Sequence, residues 1–156
     1  MECRKQNVSV RMAHSDLHRV KEISKRLGVK ESDLFRFCVK NVLSKLMPLQ
    51  DESIKGSDLM PVFIDLGDDL ARFFELDASR LEKIINGDLH EMEKKVSKDD
   101  IDLLALASIS ERYVVVKLNE MSKRPVSGQS AFDALKDYFK EKYSAPSSTE
   151  HVASYP

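Results

Sequence analysis

The sequence lacks the long apolar run that a membrane-spanning helix needs. Such a helix takes about 20 consecutive apolar residues, whereas the longest candidate, residues 101–109, is far shorter and is interrupted by Asp102. Residues 1–5 lead into no apolar segment, so we expect no signal peptide. The only cysteines, Cys3 and Cys38, have no metal-binding or redox spacing, which favours a reducing, cytoplasmic setting over a disulfide scaffold.

Patterns typical of catalysis and cofactor binding are also scarce. The histidines form no ligand cluster, and the five glycines form no phosphate-binding loop. The histidines are His14, His18, His90 and His151. The pairs Asp68–Asp69 and Asp99–Asp100 fall at predicted helix starts, where carboxylates favour the helix dipole, so we interpret them as capping residues rather than metal ligands. We therefore expect no enzyme activity, no catalytic residue, no metal and no cofactor.

Positive and negative charges are unevenly distributed, although the formal net charge is only −1. Residues 1–46 hold 11 Lys and Arg against 5 Asp and Glu, a formal charge of +6. Residues 47–110 hold 7 against 15, a charge of −8, and residues 111–156 hold 7 against 6, a charge of +1. A basic segment ahead of an acidic one indicates that the first contacts a polyanion. The alternative is chance clustering of charge on solvated helix faces.

The N-terminal segment contains one strand pattern followed by two helix patterns. Polar and apolar residues alternate strictly over residues 7–12, which predicts a half-buried strand. Apolar residues then recur at helical spacing between Ser15, a favourable N-cap, and Gly28, a favourable residue to end a helix. A second helix is predicted over about residues 30–46, before a proline.

The rest of the chain is predicted to be mostly helical. We expect a linker over residues 47–58, an acidic helical domain over residues 59–143 and a disordered tail over residues 144–156. The main helix patterns are residues 78–85, a long helix capped by Ser97 and running towards Met121, and a last helix capped by Ser130. Within the long helix, residues 113–116, which are mostly β-branched, could instead form a strand. The acidic domain is expected to assemble dimers into higher oligomers, bind an effector or contact a protein partner.

A single strand of six residues needs a partner for its backbone donors and acceptors, and no second strand pattern lies nearby. The simplest partner is the same segment of a second chain, paired antiparallel about a two-fold axis. The residues that face the helices would be Val8, Val10 and Met12. The residues that face outward would be Asn7, Ser9 and Arg11. A two-stranded ribbon fits the major groove of DNA, where these three polar side chains suit base edges.

The order of strand, helix, Gly turn and helix resembles the ribbon-helix-helix family of repressors, the Arc and methionine-repressor type. The matching segments are residues 7–12, 15–27, 27–29 and 32–46. The resemblance implies that the ribbon reads bases and that the start of the second helix holds a phosphate through backbone amides. By position it places that phosphate at Lys30 and Ser32, where the carboxylate of Glu31 departs from a simple anion site. Lys5, beside the ribbon, is a further expected phosphate contact.

The expected fold class is therefore mainly α, with an N-terminal ribbon-helix-helix dimerisation module and a small helical C-terminal domain. The expected function is site-specific binding of double-stranded DNA by a homodimer, with transcriptional repression, or organisation of a plasmid or phage site, as its role. The predicted base contacts are Asn7, Ser9 and Arg11, and the predicted phosphate contacts are Lys5, Lys30 and Ser32. The predicted dimer core is Val8, Val10, Met12, Leu34, Phe35, Cys38 and Val42.

Three alternatives stay open from the sequence. The strand could be an edge strand of an α+β domain, although no partner strand is evident. The Gly turn also suits a helix-turn-helix, although the second helix carries apolar residues, including Phe35 and Phe37, around much of its surface. The chain could instead be a protein-interaction adaptor of antitoxin-like or assembly type, with the N-terminal dimer as its scaffold.

Overall fold

The structure, a computed structural model, describes residues 5–107, 109–121 and 130–144. The chain forms two compact units, divided between Leu46 and Met47. The α-helices are α1 (His14–Leu27), α2 (Glu31–Leu46), α3 (Met60–Phe74), α4 (Ala78–Ile85), α5 (Lys98–Ala107), α6 (Glu111–Met121) and α7 (Ala131–Tyr143). Short 3-10 turns cover Met47–Gln50, Gly56–Leu59 and Met92–Lys94. None of the described helices is both long and apolar enough to cross a membrane.

The predicted ribbon is wrong, because residues 5–13 form neither strand nor helix and the described residues contain no strand. A ribbon-helix-helix domain requires that strand, so the resemblance to this family, the ribbon module of the expected fold class and the description as a ribbon-helix-helix repressor are wrong too. Alternation fixes only which side chains share a face, whereas a strand also needs a partner for its backbone groups. No described segment supplies one, and Val8 and Val10 are 83% and 74% exposed.

The N-terminal unit is a hairpin of α1 and α2 around Gly28. As predicted, Gly28 ends α1, with φ +67°, and the N–H groups of Gly28 and Val29 donate to carbonyls in the last turn of α1. The predicted N-cap at Ser15 is wrong, because α1 begins at His14 and has no side-chain cap. Leu34 is the one large apolar side chain buried among the described residues of this unit.

The C-terminal unit packs its helices around α5. This helix contacts α3, α4 and α6, while α7 contacts α3 and α6. Apolar side chains from these helices and their connections form the core. The largest fully buried ones are Phe139, Leu59, Met60, Leu81, Ile85, Ile101, Leu103 and Leu118.

The helix predictions for this unit are partly confirmed. α4 spans the predicted residues 78–85, and Ser130 caps α7 through its side chain. The single helix predicted from Ser97 to Met121 is wrong, because the structure has two helices there, α5 and α6. The N–H groups of Ile109 and Ser110 both donate to one carbonyl at the end of α5, which ends its regular hydrogen-bond pattern.

Gly56 lies where two segments of the C-terminal unit approach closely. It is buried with φ +62°, and a Cβ there would clash with the Lys94 carbonyl oxygen and lie 2.7 Å from Leu89 Cδ2. Gly56→Ala is therefore expected to lower the free energy of unfolding by about 1–3 kcal/mol, because the backbone must shift and a strained φ must be kept. Urea unfolding followed by tyrosine fluorescence reports on this unit, because all four tyrosines lie beyond residue 47.

Gly87→Ala is the control for this substitution. Gly87 also has a positive φ, +45°, but the nearest atoms to its added Cβ, Lys55 Nζ and the Lys83 carbonyl oxygen, lie 3.2 Å away. The smaller clash predicts a smaller loss of stability. Equal losses of stability at the two positions would show that the positive φ of Gly56, and not its close contacts, accounts for the effect of Gly56→Ala.

Candidate nucleic-acid interface

Most basic side chains of the N-terminal unit form no ion pair with another described residue. The described part of the unit holds ten Lys and Arg, and all are exposed. Arg19 pairs with Asp16 at 3.5 Å and Arg36 pairs with Asp33 at 2.6 Å. The other eight are Lys5, Arg11, Lys21, Lys25, Arg26, Lys30, Lys40 and Lys45. Such cations can be matched by phosphates without the loss of an internal ion pair.

The residues predicted to contact DNA lie at two places on this unit. Lys5, Asn7, Ser9 and Arg11 are exposed in the segment before α1, whereas Lys30 and Ser32 are exposed at the start of α2. The Lys30 carbonyl accepts the first hydrogen bonds of α2, from the N–H groups of Asp33 at 3.0 Å and Leu34 at 3.1 Å. The first turn of α2 also holds the carboxylates of Glu31 and Asp33, which oppose a phosphate at this helix start.

The residues predicted for a dimer core are mostly open to solvent in the single chain. Leu34 is buried in the hairpin and Phe35 is half-buried. The exposed members are Val8, Val10, Met12, Cys38 and Val42. Val39 and Leu43 are also exposed on α2. Clusters of exposed apolar side chains mark interaction surfaces in soluble proteins.

A buried ionic cluster lies between α5 and α7 in the C-terminal unit. The carboxylate of Asp100, which is fully buried, accepts hydrogen bonds from Tyr138 Oη at 2.9 Å, Lys142 Nζ at 2.6 Å and the Tyr143 hydroxyl. Lys142 also donates to the Tyr138 hydroxyl at 3.3 Å. Among the described residues, no buried side-chain nitrogen or oxygen is left without a hydrogen-bond partner.

The cluster keeps its members in their ordinary charge states at neutral pH. Burial alone would raise the pKa of Asp100, but the hydrogen bonds from Lys142, Tyr143 and Tyr138 outweigh it and hold that pKa below its ordinary value. Burial and the bond to Asp100 raise the pKa of both Tyr143 and Tyr138. Burial alone would lower the pKa of Lys142, but its hydrogen bonds and charge interactions with Asp100 and Tyr138 together outweigh burial and hold that pKa above its ordinary value. The cluster therefore ties α5 to α7 and is not poised to exchange a proton near pH 7.

The sequence does not reveal this cluster, because its members are far apart in the chain. Asp99 and Asp100 both fit the pattern of helix-start carboxylates, but only Asp99 is exposed. One signal was available, since Asp100 precedes the buried Leu104 by four residues and Ala107 by seven, which places it on the apolar face of α5. A carboxylate on such a face needs a polar partner from elsewhere in the fold.

A groove runs between α4 and α5. Two cavities of about 580 and 470 Å³ share the residues Ala78 and Asp102. Charges of both signs line them: Asp77, Glu82 and Asp102 against Lys95, Lys98 and Lys117. This even balance does not select a ligand of either charge.

The part of the chain that the structure describes contains no group of three or more His, Cys, Asp or Glu that could hold a metal ion. The chain matches no protein-family model, no curated protein and no solved structure.

Proposed function

We propose that this protein binds double-stranded DNA through its basic N-terminal unit. The observation that carries the proposal is the set of eight exposed cations that form no ion pair with a described residue. An unpaired cation gains the full attraction of a phosphate and releases a counterion from the DNA, whereas a paired one gains less. The −8 charge of residues 47–110 makes the following part of the chain an unfavourable surface for phosphates.

The contacts in this proposal are of two kinds. Phosphate contacts come from Lys5, Lys30 and Ser32, and base contacts come from Asn7, Ser9 and Arg11. The exposure of residues 5–13 supports this division, because their side chains are free to follow a groove. Insertion of α2 into the major groove is less favoured, because its exposed Phe37, Val39 and Leu43 are apolar.

Binding to a random-sequence duplex is expected to weaken steeply as salt is added. Each phosphate that a cation neutralises contributes about −0.9 to the slope of log affinity against log salt, so Lys5 and Lys30 in each of two bound chains give a slope of about −3.6. The neutral Ser32 contact adds little to that slope. Lys30→Ala is expected to flatten that slope by about 0.9 per chain and to weaken all sequences alike. Fluorescence anisotropy of a labelled duplex at several salt concentrations measures both effects.

Two further variants serve as controls. Lys140→Ala removes an exposed lysine of the C-terminal unit and should leave the slope unchanged. Asn7→Ala should leave the slope nearly unchanged but alter the sequences that are selected from a random duplex library. Duplex binding that is insensitive to salt, or no binding at low salt, would contradict the proposal.

We infer a second candidate function, binding of a protein partner by the C-terminal unit, from its exposed apolar side chains. Phe73 and Ile109 are 82% and 78% exposed, and Tyr113 and Val116 are 65% and 56% exposed. The acidic charge of residues 47–110 suits a basic partner. Capture of a basic protein, together with no salt-dependent duplex binding, would favour this function over DNA binding.

A further inference from the structure

We propose that the exposed apolar face of α2 binds a second copy of this chain, with the two α2 helices antiparallel and Cys38 close to the two-fold axis. The face consists of Phe35, Cys38, Val39, Val42 and Leu43. Phe35 is half-buried, Cys38 is exposed, and Val39, Val42 and Leu43 are 56%, 48% and 55% exposed. The proposal does not rest on DNA binding, because none of these side chains is a proposed DNA contact.

One stripe of side chains defines the line of contact. It consists of Glu31, Phe35, Cys38, Val42 and Lys45, which follow one another at alternating steps of four and three residues. That spacing aligns side chains along one side of an α-helix and is the spacing through which two helices pair. Leu34, the α2 side chain that is buried within the hairpin, is not part of this stripe.

The N-terminal unit has little hydrophobic core of its own. Its described residues bury one large apolar side chain, Leu34. The unit, residues 1–46, is close to the size of about 40 residues below which disulfides, metals or oligomerisation are usually needed for folding. Association would cover the exposed apolar side chains of α2, Val39, Val42 and Leu43 among them. Any solution of the protein contains other copies of the chain, and one of these can cover the apolar face.

The charges at the two ends of the stripe favour an antiparallel copy. Glu31 and Lys45 lie seven residues on either side of Cys38, so the stripe is complementary to itself when it is reversed. A two-fold axis at Cys38 brings Glu31 of each chain close to Lys45 of the other, so the dimer contains two equivalent contacts of this kind. A parallel pair would instead place like charges together, and it would align the two helix dipoles unfavourably.

The first test measures how accessible Cys38 is in full-length Cys3→Ser protein, where it is the only cysteine. Sedimentation velocity determines the dissociation constant of the dimer. As protein concentration rises through that constant, the rate at which a thiol-specific reagent modifies Cys38 is expected to fall by about tenfold or more, because the dimer covers the thiol. A monomer at all concentrations, or a dimer with an unchanged reaction rate, would overturn the proposal.

The second test reverses charges at the ends of the stripe. Glu31→Lys and Lys45→Glu each bring like charges together, and each is expected to raise the dimer dissociation constant about three- to tenfold. The double reversal restores opposite charges and should return the constant to within about twofold of its original value. Lys40→Glu, an exposed change outside the stripe, is the matched control and should leave the constant unchanged.

Circular dichroism checks that α2 is retained in each of these variants. Recovery in the double variant supports the antiparallel pair, because only a direct contact between the two ends of the stripe links the two reversals. If the dimer of the double variant is instead weakened by the sum of the two single effects, the antiparallel arrangement is wrong.

Discussion

Asp100→Ala is expected to lower the free energy of unfolding of the C-terminal unit by about 3 kcal/mol. Loss of one partner of a buried ion pair costs about 3–5 kcal/mol, because the other partner is left unmatched. The lower end applies here, since Lys142 is 41% exposed and can turn its ammonium group to water. The hydroxyls of Tyr138 and Tyr143, which are only partly exposed, lose their acceptor as well.

Asp99→Ala is the matched control for this substitution. Asp99 is the preceding carboxylate on α5, its side chain is 63% exposed, and its ion pair with Lys117 spans 3.6 Å. An exposed ion pair contributes about 0–1 kcal/mol, so the control should lose little stability. Urea unfolding followed by tyrosine fluorescence measures both variants. Equal losses would show that the buried cluster stabilises the unit no more than a surface ion pair does.

The same cluster predicts how stability depends on pH. The pKa of Asp100 lies below its ordinary value of 3.8 in the folded chain, so the unfolded chain binds the proton first as the pH falls. The stabilising contribution of Asp100 is therefore present above pH 3.8 and is lost as the pH falls through the folded pKa. Asp100→Asn should remove this part of the acid sensitivity, and an unchanged acid profile in that variant would contradict the assignment.

Features that depend on a few neighbouring residues were predictable from the sequence. Gly28 ends α1, α4 covers residues 78–85, and Ser130 caps α7, because these signals act on backbone groups within one turn. The strand predicted over residues 7–12 depends on a partner from outside the segment, and alternation alone does not supply one. The break between α5 and α6 was likewise invisible, because apolar spacing continues on both sides of it.

The candidate DNA-binding surface was only partly visible in the sequence. The charge of +6 is a count that the sequence supplies, but the pairing of each cation depends on side-chain geometry. Arg36 pairs with Asp33 one turn away, whereas Lys40 pairs with no described residue. The bond between Asp100 and Lys142 joins residues 42 positions apart, a separation that no local pattern reports.

Asn86→Ala is expected to lower the free energy of unfolding by about 2–6 kcal/mol, since each buried donor or acceptor left without a partner costs about 1–3 kcal/mol. The Asn86 Nδ2 donates to the Val96 carbonyl at 2.9 Å, and Asn86 Oδ1 accepts the Val96 N–H at 2.9 Å. Both residues are 1% exposed, so water does not reach the two backbone groups that alanine would leave unpaired. This amide pair holds the end of α4 to the segment before α5.

Two variants separate this pair of hydrogen bonds from simple packing. Glu82→Ala removes only the acceptor of a third bond from Asn86 Nδ2, at 3.0 Å on a part-exposed side chain, and should cost about 1 kcal/mol or less. Asn86→Asp keeps an acceptor for the Val96 N–H but sets a carboxylate against the Val96 carbonyl. A protonated carboxyl can donate to that carbonyl, so this variant should regain stability relative to the wild-type chain as the pH falls. Asn86→Ala has no such group and should not recover. Recovery on acidification by both variants, or by neither, would contradict the assignment of this stability to the two hydrogen bonds with Val96.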